Sequence, residues 1–405
     1  MPKELTSAAH NSCSHRSGLW LGIRFPAFCA ERRIAQLCCI GICMRARNPI
    51  STALRYPLWV AQLFTGAKSF LDNPVIGSQR LNRLGLHRGR VKSATAMAQW
   101  RRRRLARGVA SAAPAQWRET FDRDGFVAIS DFLPPEEFAR LRAALLEHRA
   151  PAREMRQGDA ITRRMAVNPQ MLAAIPELRA FYDRKDLRGL FRYASSFAVE
   201  PLHYIQTILT HCGEGASRKD TSDPQQVLHA DAFQPSMKAW FFLNDVGPDE
   251  APFTYVPGSQ RLTPARLAWE YRRSTTPPDQ LDRLSARGSQ RITVEELAEL
   301  GLPGPSALAV KANTLVVADT FGFHARGTST APAARVELWS YSRRNPFLPW
   351  LGGDPLSLPG IAERRVDWLW AFRDKFKRHI GQPWLRAGVK RPLDGASAQS
   401  ESPSR

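Results

Sequence analysis

Acidic residues are nearly missing from the first 110 positions of this 405-residue chain: Glu4, Glu31 and Asp72 stand against 19 lysines and arginines. The whole chain carries a formal charge of +21, so the remainder carries only +5, which argues against a basic groove running through the body. Cysteine is scarce as well. Cys13, Cys29, Cys38, Cys39 and Cys43 precede residue 44, and only Cys212 follows. The body therefore lacks the cysteines for a disulfide framework or a thiolate zinc site. A reducing cytoplasm is the simplest setting. Long apolar runs are missing too. Ile34–Met44 is far too short to span a bilayer. The run Gly18–Ile23 is cut by Arg24, which argues against a secretory signal.

These absences divide the chain into two compositional regimes. Residues 1–114 are rich in Arg, Ser and Ala and end in a run holding Arg101, Arg102, Arg103 and Arg104. Composition predicts a disordered extension here, with Met97 a natural start for the body. An organellar transit peptide, or an arm that binds nucleic acid or another anionic surface, are the alternatives. The Ser-rich residues 392–405 are predicted to be disordered as well.

The body has the texture of a folded domain over 115–350. Trp117–Asp124 reads as a short helix, Gly125–Ile129 as a strand, and Pro134-Pro135-Glu136-Glu137 opens a helix to about His148. Residues 150–200 are mixed, with a helix predicted over Pro176–Arg192. Strands are predicted at 203–211, 227–233, 237–244, 253–256, 307–310, 314–319, 321–326 and 335–342. A helical insert occupies about 264–300. About eight short strands with flanking helices predict a mainly β (α+β) domain with a double-stranded β-helix, or jelly-roll, core. Residues 351–391, rich in Trp and interleaved with Arg and Lys, read as a helical cap.

Chemistry concentrates in His229-Ala230-Asp231. On a strand, positions i and i+2 share a face, so the imidazole and the carboxylate point the same way. His324 can supply a third ligand, giving the 2-His-1-carboxylate face that suits non-haem Fe(II) and oxygen chemistry. A hairpin after His324 would put Arg335 on the neighbouring strand. Its guanidinium fork suits a carboxylate, as would that of Arg326 as the alternative. A metal with open positions and a nearby arginine suggest a cosubstrate that chelates at one end and is anchored at the other. Gln206, Thr207 and Trp240 lie on strands expected to line the pocket. Glu337 shares the face of Arg335 and is a candidate partner for an arginine. His203, His211 and Cys212 are expected to be structural.

The ordered set Asp124-Gly125-Phe126-Val127, His229-Ala230-Asp231, Lys238–Val246, Tyr255-Val256-Pro257-Gly258-Ser259, His324 and Arg335 resembles the phytanoyl-CoA dioxygenase family of Fe(II)/2-oxoglutarate oxygenases. The resemblance spans roughly Trp117 to Asn345. Gln260 stands where that family often has histidine. The resemblance implies that His229, Asp231 and His324 bind Fe(II) and that Arg335 anchors 2-oxoglutarate; Gln206, Thr207 and Trp240 are expected from their strand positions to add contacts to the cosubstrate. It implies O2 as the other reactant, release of succinate and carbon dioxide, and hydroxylation of a small organic or lipid-like substrate. Retention of Asp231 favours a hydroxylase over a halogenase, in which a small residue replaces the carboxylate. A nucleic-acid-interacting protein using the Arg-rich arm and a non-catalytic jelly-roll binding module are the competing classes.

Overall fold

A computed structural model describes residues 49–64, 73–212, 223–349, 351 and 354–397. The chain clusters into two units, 1–56 and 57–405. Of the first, the described part is the beginning of the helix Pro49–Ala61. The rest of the predicted extension up to residue 48 lies outside the described residues.

Unit 57–405 is built on two antiparallel sheets. The strands are β1 (Phe126–Ile129), β2 (Ala150–Gln157), β3 (Ala160–Ala166), β4 (Leu202–Leu209), β5 (Met237–Phe242), β6 (Phe253–Tyr255), β7 (Ser306–Leu308), β8 (Leu315–Asp319), β9 (His324–Arg326), β10 (Ala334–Ser342) and β11 (Leu385–Lys390). Eight form the major sheet in the order β1-β8-β5-β10-β4-β3-β2-β11, and three form the minor sheet β7-β6-β9. This is the predicted double-stranded β-helix core with flanking helices.

Strand alternation sorts the major sheet into two buried faces. Met165, Ile205, Ala239, Phe241, Val317, Val336 and Leu338 pack outward against helices. Tyr204, Trp240, Phe242, Val316 and Trp339 point inward, toward Phe253 and Tyr255 of the minor sheet. Trp240 and Phe253 meet across the gap with ring centroids 4.3 Å apart.

Two expectations fail here and one unassigned stretch takes shape, each for a physical reason. Residues 73–112 are not an unstructured arm. The helix Leu86–Leu105 buries His87, Arg90, Val91, Ala94, Ala98, Arg101, Arg102 and Leu105, one face at helical spacing. That face is polar, so hydropathy does not reveal it. His87 Nε2 meets Glu270 at 3.0 Å, and Arg102 meets Asp319 at 2.9 Å. Arg101 donates to the carbonyls of Pro346 and Leu348.

Second, the stretch 150–166 forms the hairpin β2–β3, whose alternation is masked by buried charge. Arg163 and Glu154 form an ion pair at 2.7 Å with both side chains fully buried. Third, the C-terminal segment adds β11 to the sheet edge beside β2. Residues 392–397, predicted to be disordered, are held as well: the carbonyls of Pro392, Asp394 and Gly395 accept from Arg163. The helical cap itself is present as Arg365–Lys375. Among the described residues no helix is long and apolar enough to cross a membrane.

Candidate metal centre

Val227–Phe233 is irregular rather than a strand, so the His-x-Asp geometry has another origin. His229 makes an isolated bridge to His324, each amide donating to the other's carbonyl at 3.0 Å. The next two amides are clamped to different segments, Ala230 to Gln290 O and Asp231 to Thr320 O, both at 2.9 Å. Anchoring on three segments, rather than pleat alternation, brings the imidazole and the carboxylate to one point.

One nitrogen atom, one carboxylate oxygen and a second nitrogen, from His229, Asp231 and His324, lie within 4.8 Å of one another. His229 Nε2 is 3.8 Å from Asp231 Oδ1, and His324 Nε2 is 3.7 Å from Asp231 Oδ2. Each ring is steered by its other nitrogen: His229 Nδ1 bonds Val227 O at 2.8 Å and His324 Nδ1 bonds Gly322 O at 3.0 Å. Such bonds fix the tautomer and leave Nε2 as the lone-pair donor. A Cβ at Gly322 would lie 1.8 Å from Tyr255 Oη, so only glycine allows the chain to pass there and present that carbonyl.

All three side chains are buried. Burial is the main cause that holds His229 well below its ordinary pKa and lowers His324 to about 4. His324 Nε2 is buried with no hydrogen-bond partner. A neutral, partnerless imidazole nitrogen beside a carboxylate and a second imidazole fits a divalent cation, whose charge and open orbitals satisfy all three.

The three residues open on a cavity of about 280 Å3 between the sheets, which Gln206, Trp240 and Arg335 also line. Arg335 does not neighbour His324 on a strand. It lies on β10 of the major sheet, and His324 lies on β9 of the minor sheet. Both line the one cavity across the gap. Arg335 Nε is 2.9 Å from Glu337 Oε2, and its Nη1 donates to Ala251 O. Arg326 is held by Asp223 at 2.7 Å.

Thr207 is turned away from this cavity. It sits one residue from the inward Gln206, on the opposite face, and its hydroxyl donates to Pro392 O. His203 bonds Ser340 and Glu200, and His211 bonds Ser329 O, all outside the metal centre. Gln260 donates to Asp122 O, a backbone contact that closes the end of the helix Ala115–Asp124.

Among the cavity residues that sequence reasoning missed are Lys238, Arg164 and Trp384. Lys238 Nζ sits 2.5 Å from Asp231 Oδ2. Its signal was available, because it alternates with Trp240 on an inward face. Arg164 and Trp384 belong to β3 and the turn before β11, neither of which shows apolar alternation.

The phytanoyl-CoA dioxygenase family model matches residues 121–295. No curated protein matches the sequence. Similar solved structures include the non-haem α-ketoglutarate-dependent epimerase SnoN from nogalamycin biosynthesis, 17% identical, covering 56% of this chain and 81% of that one, with a TM-score of 0.37. HygX from Streptomyces hygroscopicus with nickel, 2-oxoglutarate and hygromycin B is 16% identical over 56% of this chain and 86% of its own, TM-score 0.35. AviO1 from Streptomyces viridochromogenes is 20% identical over 60% and 96%, TM-score 0.34.

Proposed function

We propose that this chain, whose residues 121–295 form a domain of the phytanoyl-CoA dioxygenase family, is an Fe(II)- and 2-oxoglutarate-dependent oxygenase that hydroxylates a small organic substrate. The observation that carries this is the buried His229–Asp231–His324 cluster with its ligand atoms inside 4.8 Å and the Nε2 of His324 unsatisfied. His229, Asp231 and His324 would hold Fe(II), a ligand set that suits non-haem iron and oxygen chemistry. Iron bound there would couple oxidative decarboxylation of 2-oxoglutarate, with release of succinate and carbon dioxide, to oxidation of a substrate C–H bond.

The chain's own residues supply placement. Arg335 offers its guanidinium to the distal carboxylate of the cosubstrate, and Glu337 holds that guanidinium in register from the same face of β10. Trp240 and Phe253 wall the cavity against water. Lys238 gives Asp231 a counter-charge in the buried cluster. Asp231 is retained as a carboxylate ligand, which supports hydroxylation over halogenation.

The test is anaerobic addition of Fe(II) and then 2-oxoglutarate to the full chain. A weak visible charge-transfer band is expected, and Asp231→Ala is expected to abolish it. Wild-type protein that gives no band, and no succinate with any of a broad panel of small organic acids, amines and alcohols, overturns the reading.

A further inference from the structure

We infer that Arg164 is a specificity-determining residue of the same cavity: its guanidinium receives a carboxylate carried by the substrate, so the substrate is a small organic acid with an apolar or aromatic body. This deepens the oxygenase reading and rests on it.

The argument starts from the charge inventory of the cavity wall. Four cationic side chains line it: Arg164, Lys238, Arg326 and Arg335. Three have a carboxylate partner. Lys238 lies 2.5 Å from Asp231, Arg326 lies 2.7 Å from Asp223, and Arg335 lies 2.9 Å from Glu337. Among the described residues no carboxylate lies within 4.0 Å of Arg164. Burial lowers its pKa only to about 10, so it remains a cation at neutral pH.

The side chain is also fixed in place. Residues 164, 206 and 337 are paired in register across β3, β4 and β10. Their side chains form one relay on the inner face. Arg164 Nε donates to Gln206 Oε1 at 2.7 Å, Gln206 Nε2 donates to Glu337 Oε1 at 2.6 Å, and Glu337 Oε2 faces Arg335. The guanidinium carbon lies 4.0 Å from the Trp339 ring centroid, 4.4 Å from that of Trp384 and 5.2 Å from that of Tyr204. The rings hold the plane of the fork, and Gln206 takes its Nε edge. Among the described residues the two Nη groups have no hydrogen-bond acceptor.

A planar cation held this way, with two parallel N–H groups presented to a cavity, matches a carboxylate by bidentate charge-assisted bonds. The flanking indoles supply stacking surface for the body of the same molecule. The relay ties this fork to Arg335, so one arginine serves each carboxylate: Arg335 that of the cosubstrate, Arg164 that of the substrate.

The test uses the full chain with Fe(II) and 2-oxoglutarate under anaerobic conditions and two probes of one shape, phenylacetate and phenylacetamide. Occupancy is read by tryptophan fluorescence, since Trp339 and Trp384 flank the fork. Phenylacetate is expected to bind, phenylacetamide to bind about tenfold more weakly or worse, and Arg164→Met to remove the difference. The variant is expected to keep the Fe(II)–2-oxoglutarate band of the wild type, which also shows that it folds. Loss of that band in a folded Arg164→Met would assign the fork to the cosubstrate and overturn the inference. Equal binding of the two probes, or a preference for phenylacetate that survives the substitution, would overturn it as well. A wild type that shows no band but still selects phenylacetate through Arg164 would sink the oxygenase reading while supporting the subsite.

Discussion

His229 and His324 are kept neutral by burial, and that has a stability consequence with a definite sign. Both imidazoles have pKa values below the ordinary 6.5, His324 at about 4. In the unfolded chain each takes up a proton as the pH falls through about 6.5. The folded state does not take it up until the pH nears the lowered value. Between those limits the unfolded state binds more protons, so stability falls as the pH drops. For His324 the loss is fully developed near pH 4. By pH 5 it is about 2 kcal/mol, at about 1.4 kcal/mol per unit. Urea unfolding of metal-free protein at pH 7 and pH 5 checks this. The wild type is expected to lose more stability than His324→Gln, by roughly that amount. Parallel pH dependences of the two proteins would contradict it. The same neutrality means that the imidazoles need shed no proton to bind a metal at pH 7.

At the scale of elements, the buried face of the helix Leu86–Leu105 joins the extension to the metal centre. Val91 and Ala94 pack on Phe233 and Phe321, which lie close in sequence to Asp231 and His324. His87 reaches Glu270, which also takes two bonds from Arg266 at 3.0 and 3.2 Å. A chain begun at Met97 would lose His87, Arg90, Val91 and Ala94 together. It is expected to be less stable than the full chain by about 3 kcal/mol or more, from lost apolar burial and a broken buried pair. Equal melting temperatures for the two proteins would show the helix to be dispensable. This helix also shows where sequence reasoning reached its limit. Strands such as Met237–Phe242 and Leu315–Asp319 were legible because apolar side chains fill both faces. The helix and the hairpin β2–β3 were not, because Arg101, Arg102, Arg163 and Glu154 are buried through ion pairs and carbonyls. A buried arginine and a solvated one look alike in a sequence. For the same reason His229, Asp231, His324 and Arg335 could be singled out as residue types, whereas Arg164 could not. The opposite facing of Gln206 and Thr207 needed the strand register.

At the scale of the whole molecule, the C-terminal segment closes both the major sheet and the cavity. Strand β11 covers the edge at β2, and Trp384 just before it stacks on Arg164. Beyond β11 the carbonyls of Arg391, Pro392, Asp394 and Gly395 surround the Arg163 guanidinium. Ser397 bonds Glu154 through its amide and its hydroxyl at 3.0 and 2.8 Å. The pair Arg163–Glu154 is therefore satisfied only when the end of the chain is in place, and a buried charge left without acceptors is costly. Deleting residues 383–405 removes β11, these acceptors and one wall of the Arg164 fork, but no residue of the His229–Asp231–His324 cluster. The truncated protein is expected to unfold more easily by at least about 3 kcal/mol, the scale of a few hydrogen bonds to charged groups. It is also expected to bind phenylacetate more weakly while still forming the Fe(II)–2-oxoglutarate band below its melting temperature. The two readouts separate the segment's roles. A truncated chain with the full melting temperature would refute its part in the core, and full phenylacetate affinity would refute its part in the cavity.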